Sequence, residues 1–218
     1  DRKTLAGETG LGRAAIDAIF RQLPVVAIPG VRKVHVKRED VVRRVQIADD
    51  LGIESVWVAE AWGRDAFSML THLALVTKKI QLGTAIVNVF SRTPAVLAMT
   101  FGTLDDLSDG RAIIGLGSSG ANVIEHWHGV TFDRPATRLR EYIDIINMIM
   151  RREKLSYDGK IFKMDRGFQM QFTPRRDHIP TYIASITPKS VEQTGEIADG
   201  WIPLYWPKQK FAEGIEML

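Results

Sequence analysis

Cysteine is absent from the chain. That removes disulfides, thiolate metal ligands and a cysteine nucleophile, and it fits a cytoplasmic setting. No apolar run approaches the ~18 residues a membrane-spanning helix needs. The opening DRKTLAGETG lacks the hydrophobic segment of a signal peptide. Charge of one sign is not concentrated anywhere: the net charge is +3, with 29 basic residues dispersed among 26 acidic ones. A nucleic-acid footprint is therefore not expected, nor is a membrane partner. Low-complexity tracts and interdomain linkers are missing as well. What remains is ordinary, with 45% hydrophobic and 25% charged residues over 218 positions. Such a chain can bury a sizeable core, and a soluble globular protein is expected.

The most informative stretch runs from 80 to 120, IQLGTAIVNVFSRTPAVLAMTFGTLDDLSDGRAIIGLGSSG. It opens with a β-branched run, 80–88, of the length of a buried strand. Thr93 is placed as a helix N-cap with Pro94 at the first helical position, and the apolar helix reaches about Leu107. Ser108-Asp109-Gly110 stops it. A second buried strand, 111–116, ends in Gly117-Ser118-Ser119-Gly120. Strand, helix and strand form a βαβ unit with parallel pairing, whose ligands sit beyond the carboxyl ends of the strands.

Around this unit the pattern repeats. Residues 11–23 read as an amphipathic helix, and 24–28 and 33–36 as short strands. A helix over 39–51 carries Val42, Val45, Ile47, Ala48 and Leu51 as its apolar stripe. Residues 55–60 read as a strand and Asp65 as the cap of a helix over 66–76. The segment 125–135 reads as a loop, followed by a helix over 137–152. Residues 153–176 differ in texture. An Asp158-Gly159 turn marks a hairpin, and 168–172 alternates like a half-exposed strand, so a β excursion is inserted there. The core resumes with a strand over 180–185, a Thr187-Pro188 helix start, and a strand over 201–205. About six β/α units result, the rhythm of a β/α barrel or an open doubly wound sheet.

Three motifs bear on chemistry. Gly115-Leu116-Gly117-Ser118-Ser119-Gly120 matches G-x-G-x-x-G after a strand, but a dinucleotide site would need a long helix to start at once. A glycine-rich strand end that lets backbone approach a phosphate or ring fits better. His126-x-His128 is a thin start for a metal site, which needs three or more ligands, so no metal is expected. Glu60, beside Trp62 at a strand end, suits proton handling; the competing reading gives it to the loop arginine, Arg64.

Together, VWVAEAWGRDAF, IQLGTAIVNVFSRTPAVLAM, TLDDLSDGRAIIGLGSSG and TPKSVEQTGEIADGWIP resemble the luciferase-like oxidoreductases. The likeness extends from about Val41 to Pro203, with the motifs in family order, and is greatest to the deazaflavin-dependent methylenetetrahydromethanopterin reductase branch. The resemblance implies an α/β fold, a TIM-type β/α barrel with a hairpin insertion after the fourth helix. Here it forms a single domain over 1–218, with 1–36 weakly matched and the seventh and eighth strands missing. It implies a deazaflavin, coenzyme F420, or alternatively FMN. The ring would lie at Ala85, Ile86 and Val87, and the phosphate-bearing tail at Gly117, Ser118, Ser119, Ser185, Ile186 and Thr187.

In that frame Glu60 is the candidate catalytic residue, and Trp62, Asn88, His126 and His128 are candidate substrate walls. The implied activity is hydride transfer between the deazaflavin and a small organic substrate. FMN-dependent monooxygenation and a non-catalytic flavin-binding relative are the alternatives. The Asp-His pair that several deazaflavin dehydrogenases carry is Glu60-Ala61 here, which argues against a sugar-phosphate or alcohol dehydrogenase relying on that imidazole. The resemblance also implies a homodimer through the helices 66–76 and 94–107, with Phe67, Met69, Leu70, Met99 and Phe101 as surplus apolar residues. A cis peptide at Ala85–Ile86 is the last implied feature.

Overall fold

A computed structural model describes residues 25–26, 35–36, 38–203 and 206–218. The expected helix over 11–23 lies outside them, as do Leu204 and Tyr205 of the last expected strand. The chain divides into two compact units, 1–53 and 54–218.

In the first unit, β1 (Val25–Val26) pairs antiparallel with β2 (His35–Val36). Helix α1 (Arg38–Asp50) follows and closes at Gly52, whose φ of 74° lets the Ile53 amide return to the Ala48 carbonyl. Val45 is buried, whereas Ile47 and Leu51 are 47% and 74% exposed. The expected stripe was too broad: Ile47 lies about 200° around the helix from Val45, and Leu51 falls in the closing turn.

The second unit alternates strands and helices: β3 (Ser55–Val58), α2 (Ala66–Val76), β4 (Gln81–Thr84), β5 (Val87–Asn88), α3 (Pro94–Leu107) and β6 (Ala112–Gly117) come first. Then follow α4 (Ala121–His126), α5 (Pro135–Met150), the hairpin β7 (Tyr157–Asp158) and β8 (Lys163–Met164), β9 (Thr181–Ser185), α6 (Pro188–Ile197), β10 (Gly200–Pro203) and α7 (Phe211–Glu216). The main sheet runs β10-β9-β6-β4-β3, every pair parallel, with β5 also on β6. β6 is buried along its whole length, as a strand covered on both faces must be. The Trp57 ring on β3 meets the Tyr182 ring on β9 at 5.3 Å, although two strands separate them in the sheet. Strands that far apart in a flat sheet stand about 14 Å apart. The sheet is therefore strongly curved, a half-barrel wall with aromatics filling its concave side.

The helix starts are those the sequence predicts. Asp65 caps α2 by accepting the Ser68 amide, and Thr93 caps α3 with Pro94 at its first position. Thr187 and Ser190 form a reciprocal capping box on α6. Two readings change. The expected loop at 125–135 begins with the short helix α4, because 121–126 closes a turn and a half before Gly129. The expected strand at 168–172 is irregular chain. Met170 is buried while Phe168 is 78% exposed, so the alternation reflects docking of one side chain.

The excursion is tied down at two points. At the first, Glu141 on α5 accepts from the amides of Lys160, Ile161 and Phe162, at 2.6 to 3.2 Å. These amides form the loop between β7 and β8, so one carboxylate fixes the hairpin on its helix. At the second, Arg176 donates to the fully buried Asp105 at 2.5 and 3.1 Å and to the Ala112 carbonyl. Charge-assisted bonds of this kind contribute about 1.5–3 kcal/mol. Glu141→Ala is accordingly expected to raise hydrogen exchange of the 160–162 amides by about 10–100-fold, leaving the β6 amides protected. Unchanged exchange at 160–162 would refute the anchor.

Candidate functional site

β4 and β5 are two halves of one expected strand. Leu82 and Gly83 pair with Ala112 and Ile113, the chain then breaks at the cis peptide Ala85–Ile86, and Val87 and Asn88 pair with Leu116 and Gly117. The Thr84 hydroxyl fills the missing rung, donating to the Gly115 carbonyl at 2.7 Å and accepting its amide at 3.0 Å. Beyond the break, Ile86 meets Gly117 and Ala184. A Cβ placed on Gly117 would stand 3.1 Å from Ile86 Cδ1 and 3.5 Å from Ala184 Cβ. Three strand ends converge there on an apolar floor, with the Ile86 side chain lying across Gly117.

Not every predicted contact residue is free to serve it. Ala85 and Ile86 are half-buried, but Val87 is wholly buried and belongs to the core. Ser185 is buried with its hydroxyl on Thr194 at 2.9 Å, and the Thr187 hydroxyl is engaged by Ser190. Ser118, Ser119 and Ile186 remain open at the strand ends, Ser119 with a φ of 57°.

Glu60 faces an arginine, but Arg92 rather than Arg64. Its two oxygens accept from Arg92 at 2.5 and 3.0 Å and from the Ala66 amide at 2.9 Å. Arg92 also reaches Asp65 at 2.6 Å and lies over the Phe67 ring at 5.0 Å. The hydrogen bond to Glu60 raises the Arg92 pKa, against the opposing effect of burial. Burial pushes the Asp65 carboxyl upward, but the Ser68 bonds and Arg92 outweigh it and hold the group below its usual 3.8. This cluster ties the end of β3 to the loop before α3. Its contacts make Glu60 an anchor for Arg92 rather than a free proton carrier.

Asn88 and His128 come together. The Asn88 oxygen accepts the Phe90 and Ser91 amides, which turns its NH2 toward His128 Nε2 at 3.3 Å. Asn88 is 2% exposed, so it latches a loop and offers a substrate no surface. His126, Trp62 and Trp127 are exposed, the two tryptophans at 66% and 63%. Among the described residues no three His, Asp or Glu side chains converge as metal ligands.

Sequence reasoning missed a group on the first turns of α5. Arg138 lies over Phe90 at 4.6 Å and 5.8 Å from the Phe162 ring, and Phe90 stacks on Phe132 at 5.2 Å. Tyr142, one turn on, donates to the Arg92 carbonyl at 2.7 Å. Burial raises its pKa, partly offset by Arg138 beside it. In sequence both read as helix pattern, Tyr142 on the apolar stripe and Arg138 on the solvated face, and nothing local distinguishes them.

The sequence profile described as luciferase-like monooxygenase matches residues 26–218. A Mycobacterium tuberculosis protein whose name classes it with the coenzyme F420-dependent oxidoreductases is 37% identical over 173 residues, 74% of this chain and 50% of that one. The 5,10-methylenetetrahydromethanopterin reductase of Archaeoglobus fulgidus is 36% identical, covering 72% of this chain and 46% of its own. The chain thus spans about half the length of the relatives it matches. Among solved structures, the coenzyme F420-dependent tetrahydromethanopterin reductase of Methanopyrus kandleri superposes with a TM-score of 0.69 at 29% identity, covering 76% of this chain and 52% of that one. The curved parallel sheet and the ordered motifs agree with these matches, and the chain belongs to the luciferase-like monooxygenase family.

Proposed function

We propose that the chain carries the cofactor-binding wall of an oxidoreductase that moves a hydride between coenzyme F420 and a small organic substrate. The observation that carries this reading is the apolar floor at Ile86, Gly117 and Ala184 at the carboxyl ends of three parallel strands. It occurs in a chain 37% identical over 173 residues to a relative whose name classes it with the coenzyme F420-dependent oxidoreductases. A flat ring needs a floor without projecting side chains, and the missing Cβ of Gly117 is what lets Ile86 and Ala184 close over it. The deazaflavin supplies the hydride chemistry when bound. Ala85 and Ile86 would support the ring, Gly117, Ser118 and Ser119 would approach its phosphate-bearing tail, and Ile186 and Thr187 would border that tail through backbone. Arg92, fixed by Glu60 and Asp65, would hold the loop beside the ring in place. Trp62, His126 and Trp127, open at the same end, would wall the substrate and exclude water.

FMN is the second cofactor to be tested on this floor; the oxygenating constituent of 3,6-diketocamphane monooxygenase, solved in complex with FMN, shares the fold with a TM-score of 0.64 at 20% identity. Titration of the purified protein with each cofactor, followed by absorbance, decides between them. Saturable binding of F420 is expected, weakened at least about tenfold in Gly117→Val, whose branched side chain would occupy the floor. No saturable binding of F420 to the wild-type protein would refute the reading.

A homodimer through α2 and α3 forms part of the same proposal. Phe67, Leu70 and Phe101 proved to be core, but Leu75, Val96, Met99 and Leu107 are 41% to 67% exposed on these two helices. Sedimentation at high micromolar concentration is expected to show a dimer that Met99→Glu dissociates. A wild-type monomer would refute it.

A further inference from the structure

Arg138 is an unusual cation in this fold. Its Nε is buried and has no hydrogen-bond partner, and no carboxylate pairs with the guanidinium among the described residues. Burying a charge without an opposite partner is costly, and rings supply only part of the compensation. Nearby carboxylates are already committed: Glu141, one turn away, to the hairpin amides, and Glu60 to Arg92. A second orphan lies on the loop between β5 and α3. The Ser91 hydroxyl is buried and also has no partner.

Two contacts on either side of Ser91 bring its loop to Arg138. Phe90 lies under the guanidinium, Arg92 accepts from Tyr142 one turn after Arg138, and Ser91 stands between Phe90 and Arg92. The place is the carboxyl end of the sheet. β5 ends at Asn88 just before Ser91, and α5 starts at Pro135 just before Arg138. Arg138 as a whole is only half-buried, so solvent reaches part of it. The arginine Nε has no partner, its guanidinium otherwise meets Tyr142 and two rings, and a partnerless serine hydroxyl stands on the adjoining loop. Together they offer donors to an acceptor at the end of the fold where ligands bind.

We propose that Arg138 and Ser91 form a binding position for an oxyanion, a carboxylate or phosphate group, distinct from the ring floor at Ile86 and Gly117. The guanidinium gives charge and a planar fork, the serine gives a single hydroxyl, and Phe90 holds the fork in place. The oxyanion has two sources, the substrate or the phosphate-bearing tail of the cofactor. The site stands whichever cofactor binds, and whether or not a hydride is transferred.

The test uses the full chain and inorganic phosphate as probe, read by thermal melting. Wild-type protein is expected to show a saturable rise of about 2–5 °C. Arg138→Met, which keeps length and apolar contact, is expected to lose that response. Without phosphate it is expected to melt higher than wild type, because an uncompensated charge has been removed. Ser91→Ala should weaken phosphate several-fold while leaving the melting point near wild type. If Arg138→Met fails to fold, Arg138→Lys and Ser91→Ala carry the test, and each should weaken the response. F420 titrated into the same variants separates the sources: unchanged binding assigns the oxyanion to the substrate, and weakened binding assigns it to the cofactor.

A wild-type protein that ignores phosphate, or variants that respond as wild type does, would overturn the proposal. A lower melting point for Arg138→Met without phosphate would also overturn it, by making the arginine a strut. F420 binding to wild type without a phosphate response removes only the oxyanion site. A phosphate response without F420 binding removes only the cofactor reading.

Discussion

Alanine at position 115 is expected to leave the chain unfolded, or to lower its unfolding free energy by about 4 kcal/mol or more. The Cβ it adds would stand 1.6 Å from the Thr84 carbonyl oxygen and 2.7 Å from its carbon. These are backbone atoms of the neighbouring strand, so no side-chain rotation makes room. Separating the strands would break the two bonds that the Thr84 hydroxyl makes with Gly115. It would also displace β6, the strand at the centre of the sheet. Chemical denaturation followed by tryptophan fluorescence measures the loss. A Gly115→Ala protein within about 1 kcal/mol of wild type would mean the close approach is not maintained in solution.

Asp105→Ala should be the next most damaging change, at roughly 3–5 kcal/mol, the usual result of breaking a buried ion pair from one side. Asp105 is fully buried, and besides Arg176 it accepts the Ala112 amide at 3.2 Å. Removing it strands that amide at the start of β6 and leaves Arg176 with only the Ala112 carbonyl. The arginine is 31% exposed and can partly rehydrate, which favours the lower half of the range. Asp105→Asn keeps an acceptor for Ala112 and should fall between wild type and alanine. A double-mutant cycle with Arg176→Ala is expected to give a coupling energy above about 1 kcal/mol. Additive losses would show that the pair does not act as a unit.

The parts of this structure that the sequence made legible are those that local chemistry decides. The caps at Asp65, Thr93 and Thr187, the prolines at 94 and 188, and the apolar β6 run each specify an element without help from elsewhere. Parallel order followed from the strand-helix alternation. The break in the strand at Ala85–Ile86 and its close approach to Gly117 fall at the positions the resemblance implies. The identity of each residue's partner was not legible. Glu60 found Arg92 rather than Arg64 because the loop before α3 folds back across the strand end, 32 positions away in sequence. Asn88 and Ser185 read as site residues by position but spend their polar atoms on the fold itself. Arg138 was invisible for the opposite reason. A helix arginine reads as solvated unless the rings that cover it are known, and these come from two separate segments, at Phe90 and Phe162.

The two moorings of the excursion bear on how such a protein diverges. Glu141 holds the hairpin by backbone amides alone, and Arg176 returns the chain to the core through one pair. Neither mooring depends on the side chains of the residues between. Within 153–176, the positions that touch neither mooring nor the core are therefore free to drift, whereas Leu155, Phe162 and Met170 pack inward and are not. The excursion behaves as an exchangeable cassette. A graft from a relative should dock if it offers three consecutive amides to position 141 and an arginine to position 105. New specificities can then be sampled without renegotiating the core.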